Sequence, residues 1–370
     1  MIEKEVVVIG EGPSGLSAAI EAAKRGAEVL ALDENLRAGG QLFKQIHKFF
    51  GSSAHKAGIR GIDIGSELSE QAKECGVEVW LNSVALGLFK EKKIAVKRTL
   101  ANNSEKLEII QAKNVVIATG ASENSVSFEG WTLPGVMGAG AAQTMINVNR
   151  VLPGKKVLMV GSGNVGLIVS YQLLQAGANV VGIIEAAPQI GGYGVHVAKV
   201  RRAGVPIYTS HTIKEAIGKN WVEKAVIWKV DDRWQPIERT EKILEVDTIT
   251  IAAGLTPLVE LARMHDCKCT FIPQLGGWVP LHDENMESTN PGIYIAGDIT
   301  GVEEANTALE EGRLAGIAIA EALGYISLEE ARKIKNEIWQ RLKELRMGPF
   351  GEARMLAKNK ILADCRKYKI

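Results

Sequence analysis

Three glycines at fixed spacing followed by one acid can hold a phosphate chain and a ribose together, and this chain carries that pattern twice. The first copy is Gly10-Glu11-Gly12-Pro13-Ser14-Gly15, directly after the apolar run Val6-Val7-Val8-Ile9. Asp33 follows 23 residues after Gly10, with Glu34 beside it. The second copy is Gly161-Ser162-Gly163-Asn164-Val165-Gly166, after Val157-Leu158-Met159-Val160, and Glu185 follows 24 residues after Gly161. In each copy the first glycine permits a tight turn. The second lets backbone approach a pyrophosphate, and the third lets helix and strand pack closely. The acid can accept hydrogen bonds from ribose hydroxyls. Two such sites predict two bound dinucleotides, and therefore electron transfer between them.

The elements that must position these residues are legible around them. Val6 to Ile9 reads as a buried parallel strand, short and β-branched. A helix is predicted over 13–25, with Leu16, Ala19, Ile20 and Ala23 on one face. Its free N–H groups and partial positive charge would face the phosphates. The next strand is predicted over 28–32, closed by Asp33. The second copy repeats the plan: a helix over 164–175, a strand over 179–184, then Glu185. A carboxylate there favours NAD over NADP, because it would repel a 2′-phosphate. Arg201 and Arg202 lie farther on and read as a solvated helix end.

Composition narrows the class. At 370 residues the chain is long enough for two domains with full cores. A net charge of +1 gives no reason to expect nucleic acid as a partner. No apolar run approaches the roughly 20 residues that span a bilayer. Met1 leads almost directly into the first strand, so no signal peptide is expected. The four cysteines make no disulfide framework at this length, and a reducing cytoplasm is the expected location. Cys267-Lys268-Cys269 has no second cysteine pair to complete a metal site, so no metal is expected.

Three further segments complete a series: Val115-Val116-Ile117-Ala118-Thr119-Gly120, then Thr248 to Gly254, then Gly292-Ile293-Tyr294-Ile295-Ala296-Gly297-Asp298. A helical run over 303–323 follows. With the two fingerprints, this order resembles the two-dinucleotide-binding-domain flavoproteins, the superfamily of thioredoxin reductase and glutathione reductase. The resemblance covers roughly residues 4–325. It implies an α/β fold of two Rossmann-like, three-layer ββα domains, the first discontinuous, with a C-terminal helical tail. The expected boundaries are 1–121 and 247–325 for the FAD-binding domain, 122–246 for the NAD(P)-binding domain and 326–370 for the tail.

The same resemblance assigns FAD to the first fingerprint and NAD(H), in preference to NADP(H), to the second. It implies that Asp298, after Gly297, meets the flavin ribityl chain. Gly40, Gln41 and Leu42 of Gly39-Gly40-Gln41-Leu42 would run past the flavin ring, Val84 would meet the adenine, and Ala118, Thr119 and Gly120 would border the cofactor. Thioredoxin reductases carry a C-x-x-C in the nicotinamide domain, and this chain has none anywhere. Disulfide reduction of that type is not expected.

A narrower resemblance rests on Gly130-Trp131-Thr132-Leu133-Pro134-Gly135-Val136, Gly140-Ala141-Ala142-Gln143-Thr144, Leu152-Pro153-Gly154-Lys155 and Leu275-Gly276-Gly277-Trp278-Val279-Pro280. These look like the group that contains sarcosine oxidase α, hydrogen cyanide synthase B, opine oxidase A and dye-linked proline dehydrogenase. That implies a D-amino-acid-oxidase-like flavoprotein partner, often joined by a small iron–sulfur protein. Homo-oligomers are also compatible. The tail from Ser327 opens on the capping box Ser327-Leu328-Glu329-Glu330, with one helix to about 347 and a basic one to about 366. It reads equally as a docking arm or as a cap on the first domain.

Hydride transfer between nicotinamide and flavin needs orientation rather than a side-chain acid or base, so no catalytic triad is expected. The helix N-terminus near Glu303, with Gly301 to Asn306, would stabilise negative charge on a reduced ring. His47 is the one candidate for proton handling; His196 and His211 have no context that favours a role. Two other readings remain: a stand-alone NADH:acceptor reductase serving ferredoxin or quinone, and a non-catalytic protein that only binds an adenine nucleotide. Cysteine-based reduction through Cys267 and Cys269 is a further one.

Overall fold

A computed structural model describes residues 1–349 and 351–369. The chain divides into two compact units, Met1–Ser122 with Thr256–Ile370, and Glu123–Leu255. Each is α/β, built on a parallel sheet.

In the first unit the parallel strands run in the order Glu78–Trp80, Val29–Leu32, Ile2–Ile9, Glu105–Ile117 and Ile293–Ile295. The long strand Glu105–Ile117 also pairs antiparallel with Lys93–Thr99, which pairs with Ser83–Phe89. Side chains alternate across the central strand, as a period of two requires. Val6 and Val8 join the core under helix Pro13–Ala23, with Leu16 and Ile20. Val7 and Ile9 face the other way and pack with Leu88, Ile94 and Val96 of the antiparallel meander. Both faces are covered, which is why Val6 to Ile9 is apolar without interruption.

The second unit repeats this plan. Its parallel order is Ile207–Thr209, Asn179–Glu185, Lys156–Val160, Thr248–Ile251 and Val136–Gly138. Helices Asn164–Gln175 and Gly194–Arg202 contribute to one core with Met159 and Ile183. The meander His211–Ile217, Lys224–Lys229 and Lys242–Glu245 contributes to the other, with Leu158 and Ile184. Strand Thr248–Ile251 lies in this sheet, so the chain returns to the first unit at Thr256 rather than at 247.

The tail lies within the first unit. Ser327 Oγ accepts the Glu330 N–H at 3.2 Å and caps helix Leu328–Leu345. After Gly348 the chain forms helix Glu352–Cys365. Each tail helix delivers one cation to the buried end of helix Ala305–Ala322. Arg346 pairs with Glu303 and Glu311 at 2.6 Å each, and Lys358 pairs with Glu311 at 2.8 Å. All four side chains are about 5% exposed or less. These contacts make the tail a bolted cap on the first unit.

Helices Pro13–Ala23 and Ala305–Ala322 meet backbone to backbone. A Cβ at Gly312 would stand 2.1 Å from the Ser14 carbonyl oxygen, and one at Gly316 would stand 2.5 Å from that of Ala18. Gly312→Ala therefore has to push the helices apart. The expected cost is about 1–3 kcal/mol, the usual range for overpacking. A urea midpoint equal to that of the wild type would refute this.

Candidate functional site

Each fingerprint forms the turn from its strand's C-terminal end into the next helix. Gly10 has φ +100° and its missing Cβ would lie 2.4 Å from Ala118 O; at Gly15 the missing Cβ would lie 1.8 Å from Gly10 O. The second unit reproduces these contacts. Gly161 has φ +104° and a Cβ there would lie 2.3 Å from Ala252 O, while one at Gly166 would lie 2.2 Å from Gly161 O. The middle glycines differ from the outer two. At Gly12 and at Gly163 a Cβ would meet nothing within 4 Å, and both have ordinary negative φ. Open space thus lies beside the middle glycine of each turn, where a phosphate has to approach.

The expected neighbours converge on the first turn. A Cβ at Gly40 would stand 2.7 Å from Gly12 Cα, and one at Gly297 would stand 2.8 Å from Ser14 Cβ. Pro13 and Ser14 begin the helix. Asp33 accepts the Glu11 N–H at 2.7 Å and the Asn35 N–H at 2.8 Å. Ser83 donates its N–H to Asp33 O at 2.8 Å, which brings Val84 to the acidic end. Thr119 donates its hydroxyl to Leu258 O at 2.8 Å, and Gly120 has φ +73° beside open space. Asp298 is half-buried, and its carboxylate accepts only a long N–H bond from Glu303, 3.4 Å. Burial pushes it up to about 7.

The remaining expected residues differ in burial. Leu42 is 1% exposed and packed in the apolar core, so only its backbone faces the turn. Glu34 and Gln41 are exposed. The His47 ring lies against Phe49, 5.5 Å between centroids. At the start of helix Ala305–Ala322, Asn306 donates to Phe50 O at 2.7 Å.

In the second unit Glu185 accepts the Ser162 N–H at 2.9 Å and the Ser162 hydroxyl at 2.7 Å through one oxygen, and the Ala187 N–H at 3.0 Å through the other. Asn164 accepts the Tyr193 N–H at 2.8 Å, and Val165 stands exposed in the first helical turn. Arg201 and Arg202 end helix Gly194–Arg202. At 1.5 Å rise per residue they lie about 12 Å along the helix from the end that meets the turn.

Sequence reasoning passed over Glu11. It is fully buried, neither carboxyl oxygen has a partner among the described residues, and it is pushed up to about 8. Burial is the main cause, and the Asp33 charge adds to it. With its value at about 8, Glu11 carries the proton at neutral pH. The signal was its charge in a turn position that must bury its side chain. The thiols point away from nucleophilic chemistry: burial pushes Cys267 up to about 11 and raises Cys269. Among the described residues no cluster of three metal-ligating side chains exists.

Comparison with known proteins agrees with this architecture. Residues 4–312 match the family model described as pyridine nucleotide-disulphide oxidoreductase, and the chain belongs to that family. It is similar to opine oxidase A of Agrobacterium tumefaciens, 28% identical, covering 97% of this chain and 74% of that one. Hydrogen cyanide synthase HcnB of Pseudomonas aeruginosa is 27% identical over 85% of this chain and 70% of its own. The solved thioredoxin reductase of T. acidophilum shares the fold, with a TM-score of 0.71 at 21% identity, over 87% of this chain and 99% of that one.

Glu11 makes a pH prediction. Its folded value, about 8, lies above its ordinary 4.5, so the folded chain binds the extra proton between those values. Stability then falls as pH rises from about 5 to 8, by up to about 1.4 kcal/mol per pH unit from this group. Glu11→Gln mimics the protonated acid and should reduce that slope; urea midpoints across this pH range check it. Equal slopes in variant and wild type would mean that Glu11 is already ionised in the fold.

Proposed function

We propose that this family member holds FAD on the first turn and NAD(H) on the second, and passes hydride between them. It would serve as the electron-transfer component of an amine or amino-acid dehydrogenase complex. The observation that carries this reading is the duplicated turn, in which the outer glycines are locked by backbone and the middle glycine faces open space. Gly10, Gly12 and Gly15, with Pro13 and Ser14, would hold one pyrophosphate. Gly161, Gly163 and Gly166, with Asn164 and Val165, would hold the other. Asp33 and Glu185 would take the ribose hydroxyls, and Val84 would border the adenine.

Flavin, when bound, supplies the exchange of a hydride with nicotinamide and the passage of one or two electrons onward. The chain's own residues bind and orient. Asp298, poised near 7 by burial, gains a hydrogen-bond donor if it meets a ribityl hydroxyl. Helix Ala305–Ala322 begins beside it, and its N-terminal field favours negative charge. Glu303 would weaken that field, but its charge is taken by Arg346. Gly40, Gln41 and the backbone of Leu42 would line the other side, with Ala118, Thr119 and Gly120 behind.

NAD is favoured because Glu185 is fixed by three donors in the ribose position and no arginine stands beside it. The partner reading rests on relatives whose names describe subunits. A D-amino-acid-oxidase-like flavoprotein, with or without a small iron–sulfur protein, fits that reading.

The two middle glycines give a clean test, since the protein itself leaves room for a side chain at both. The purified chain should be yellow and should bleach with NADH under anaerobic conditions. Gly163→Val should stay yellow, bleach with dithionite and ignore NADH. Gly12→Val should fold but lose its colour. A wild-type chain that stays colourless with added FAD would sink the flavin reading and favour a nucleotide-binding scaffold. Glu185→Ala should narrow the preference for NADH over NADPH in the same titration.

A further inference from the structure

Within the first unit, a cavity of about 470 Å³ lies where the two tail helices meet the segment around His282. That volume is within the usual ~300–1,000 Å³ of small-molecule sites. None of its lining residues belongs to either glycine turn. Its floor is His282, Glu311, Arg346 and Lys358; Trp339, Met355 and Leu362 form an apolar wall. Asn336, Gln340, Lys343 and Asn359 also line it and are exposed, so they form the rim.

The charges on the floor satisfy one another. Arg346 serves Glu303 and Glu311, and Lys358 serves Glu311 and the Thr300 hydroxyl. His282 is the exception. It is 2% exposed, and its Nδ1 lies 2.9 Å from the Asp283 carbonyl oxygen. A carbonyl only accepts, so Nδ1 carries the hydrogen and Nε2 is left as an acceptor. No donor among the described residues meets Nε2. Burial holds the ring neutral, its value lowered to about 4. At the rim, Lys343 has no acidic partner among the described residues.

We propose that this cavity binds a small carboxylic acid bearing a hydroxyl or amino group and an apolar body. The hydroxyl or ammonium donates to His282 Nε2. The apolar body lies along Trp339, Met355 and Leu362, and the carboxylate meets Lys343. Such a ligand would lie one side chain away from the Gly297–Asp298 segment, because Glu311 also accepts the Gly297 N–H at 3.0 Å.

The test is calorimetric titration of the full chain with three acids of one skeleton: leucine, 2-hydroxy-4-methylpentanoate and 4-methylpentanoate. The first two carry the donor and distinguish an amino from a hydroxy ligand; the third lacks it. At least one of the first two should bind about tenfold or more tightly than the third, as one hydrogen bond to a buried acceptor requires. Lys343→Gln, at an exposed position that leaves the fold intact, should weaken that binding. It should leave flavin content and bleaching by NADH unchanged. His282→Leu should abolish the difference between the acids. If His282→Leu fails to fold, the three-acid series and Lys343→Gln still decide the matter. Absence of binding at tens of millimolar, equal binding of all three acids, or indifference to Lys343→Gln would each overturn the proposal and leave the cavity to water.

Discussion

The approach of backbone to backbone at the end of each central strand is the constraint on which the rest of both units depends. Gly10 against Ala118, and Gly15 against Gly10, leave no volume for even one methyl group. Only that closeness lets the chain reverse from strand to helix within a few residues and aim the helix N-terminus back along the sheet. Gly161 and Gly166 do the same in the second unit. The contacts at Gly312 and Gly316 extend the theme, since they draw helix Ala305–Ala322 onto the helix that the first turn begins. A change at any of these positions acts on the sheet, the helix and the turn together.

Electrostatics then divides the acids into two kinds. Glu311 is fully buried but sits between two cations, and the Lys358 and Arg346 charges hold its carboxyl well below the usual carboxylate range. Glu11 is also fully buried and Asp298 half-buried, yet among the described residues no cation pairs with either, and burial pushes both up. The first kind is structural. A buried ion cluster of this sort adds little net stability but strongly penalises any arrangement that leaves one member unpaired. It therefore fixes where the tail helices sit. Acids of the second kind keep hydrogen-bonding capacity that the described residues do not use, close to the first glycine turn.

Much of this was legible in sequence because it is local. A β-branched run, three glycines, an amphipathic helix and an acid all lie within about 25 residues of one another, and Ser327 with Glu330 announced a helix start. The boundaries of helix Asn164–Gln175 matched the pattern to the residue. What was missed depends on distant partners. Glu311 and Arg346 are 35 residues apart, and neither shows in its own neighbourhood that the other will neutralise it. The antiparallel meanders escaped notice because their strands alternate weakly and carry several lysines. Leu42 lay in a stretch read for its resemblance, while its side chain obeyed the ordinary demand of the core beside Gly65.

The two turns also differ in one residue that matters chemically. In the second, Ser162 gives its hydroxyl to Glu185, so the acid is anchored by a neutral donor. In the first, the same position is Glu11, which cannot donate to Asp33 while ionised and would repel it. A protonated Glu11 removes that conflict, and its backbone N–H still anchors Asp33. Equivalent folds thus reach the same end, one acid anchored beside the glycine turn, by different routes. The route in the first unit depends on a proton. The thiols complete the contrast with the disulfide-reducing members that give the family its name. The chain has no C-x-x-C, and burial pushes the Cys267 and Cys365 thiols up to about 11, away from the thiolate form that disulfide exchange needs.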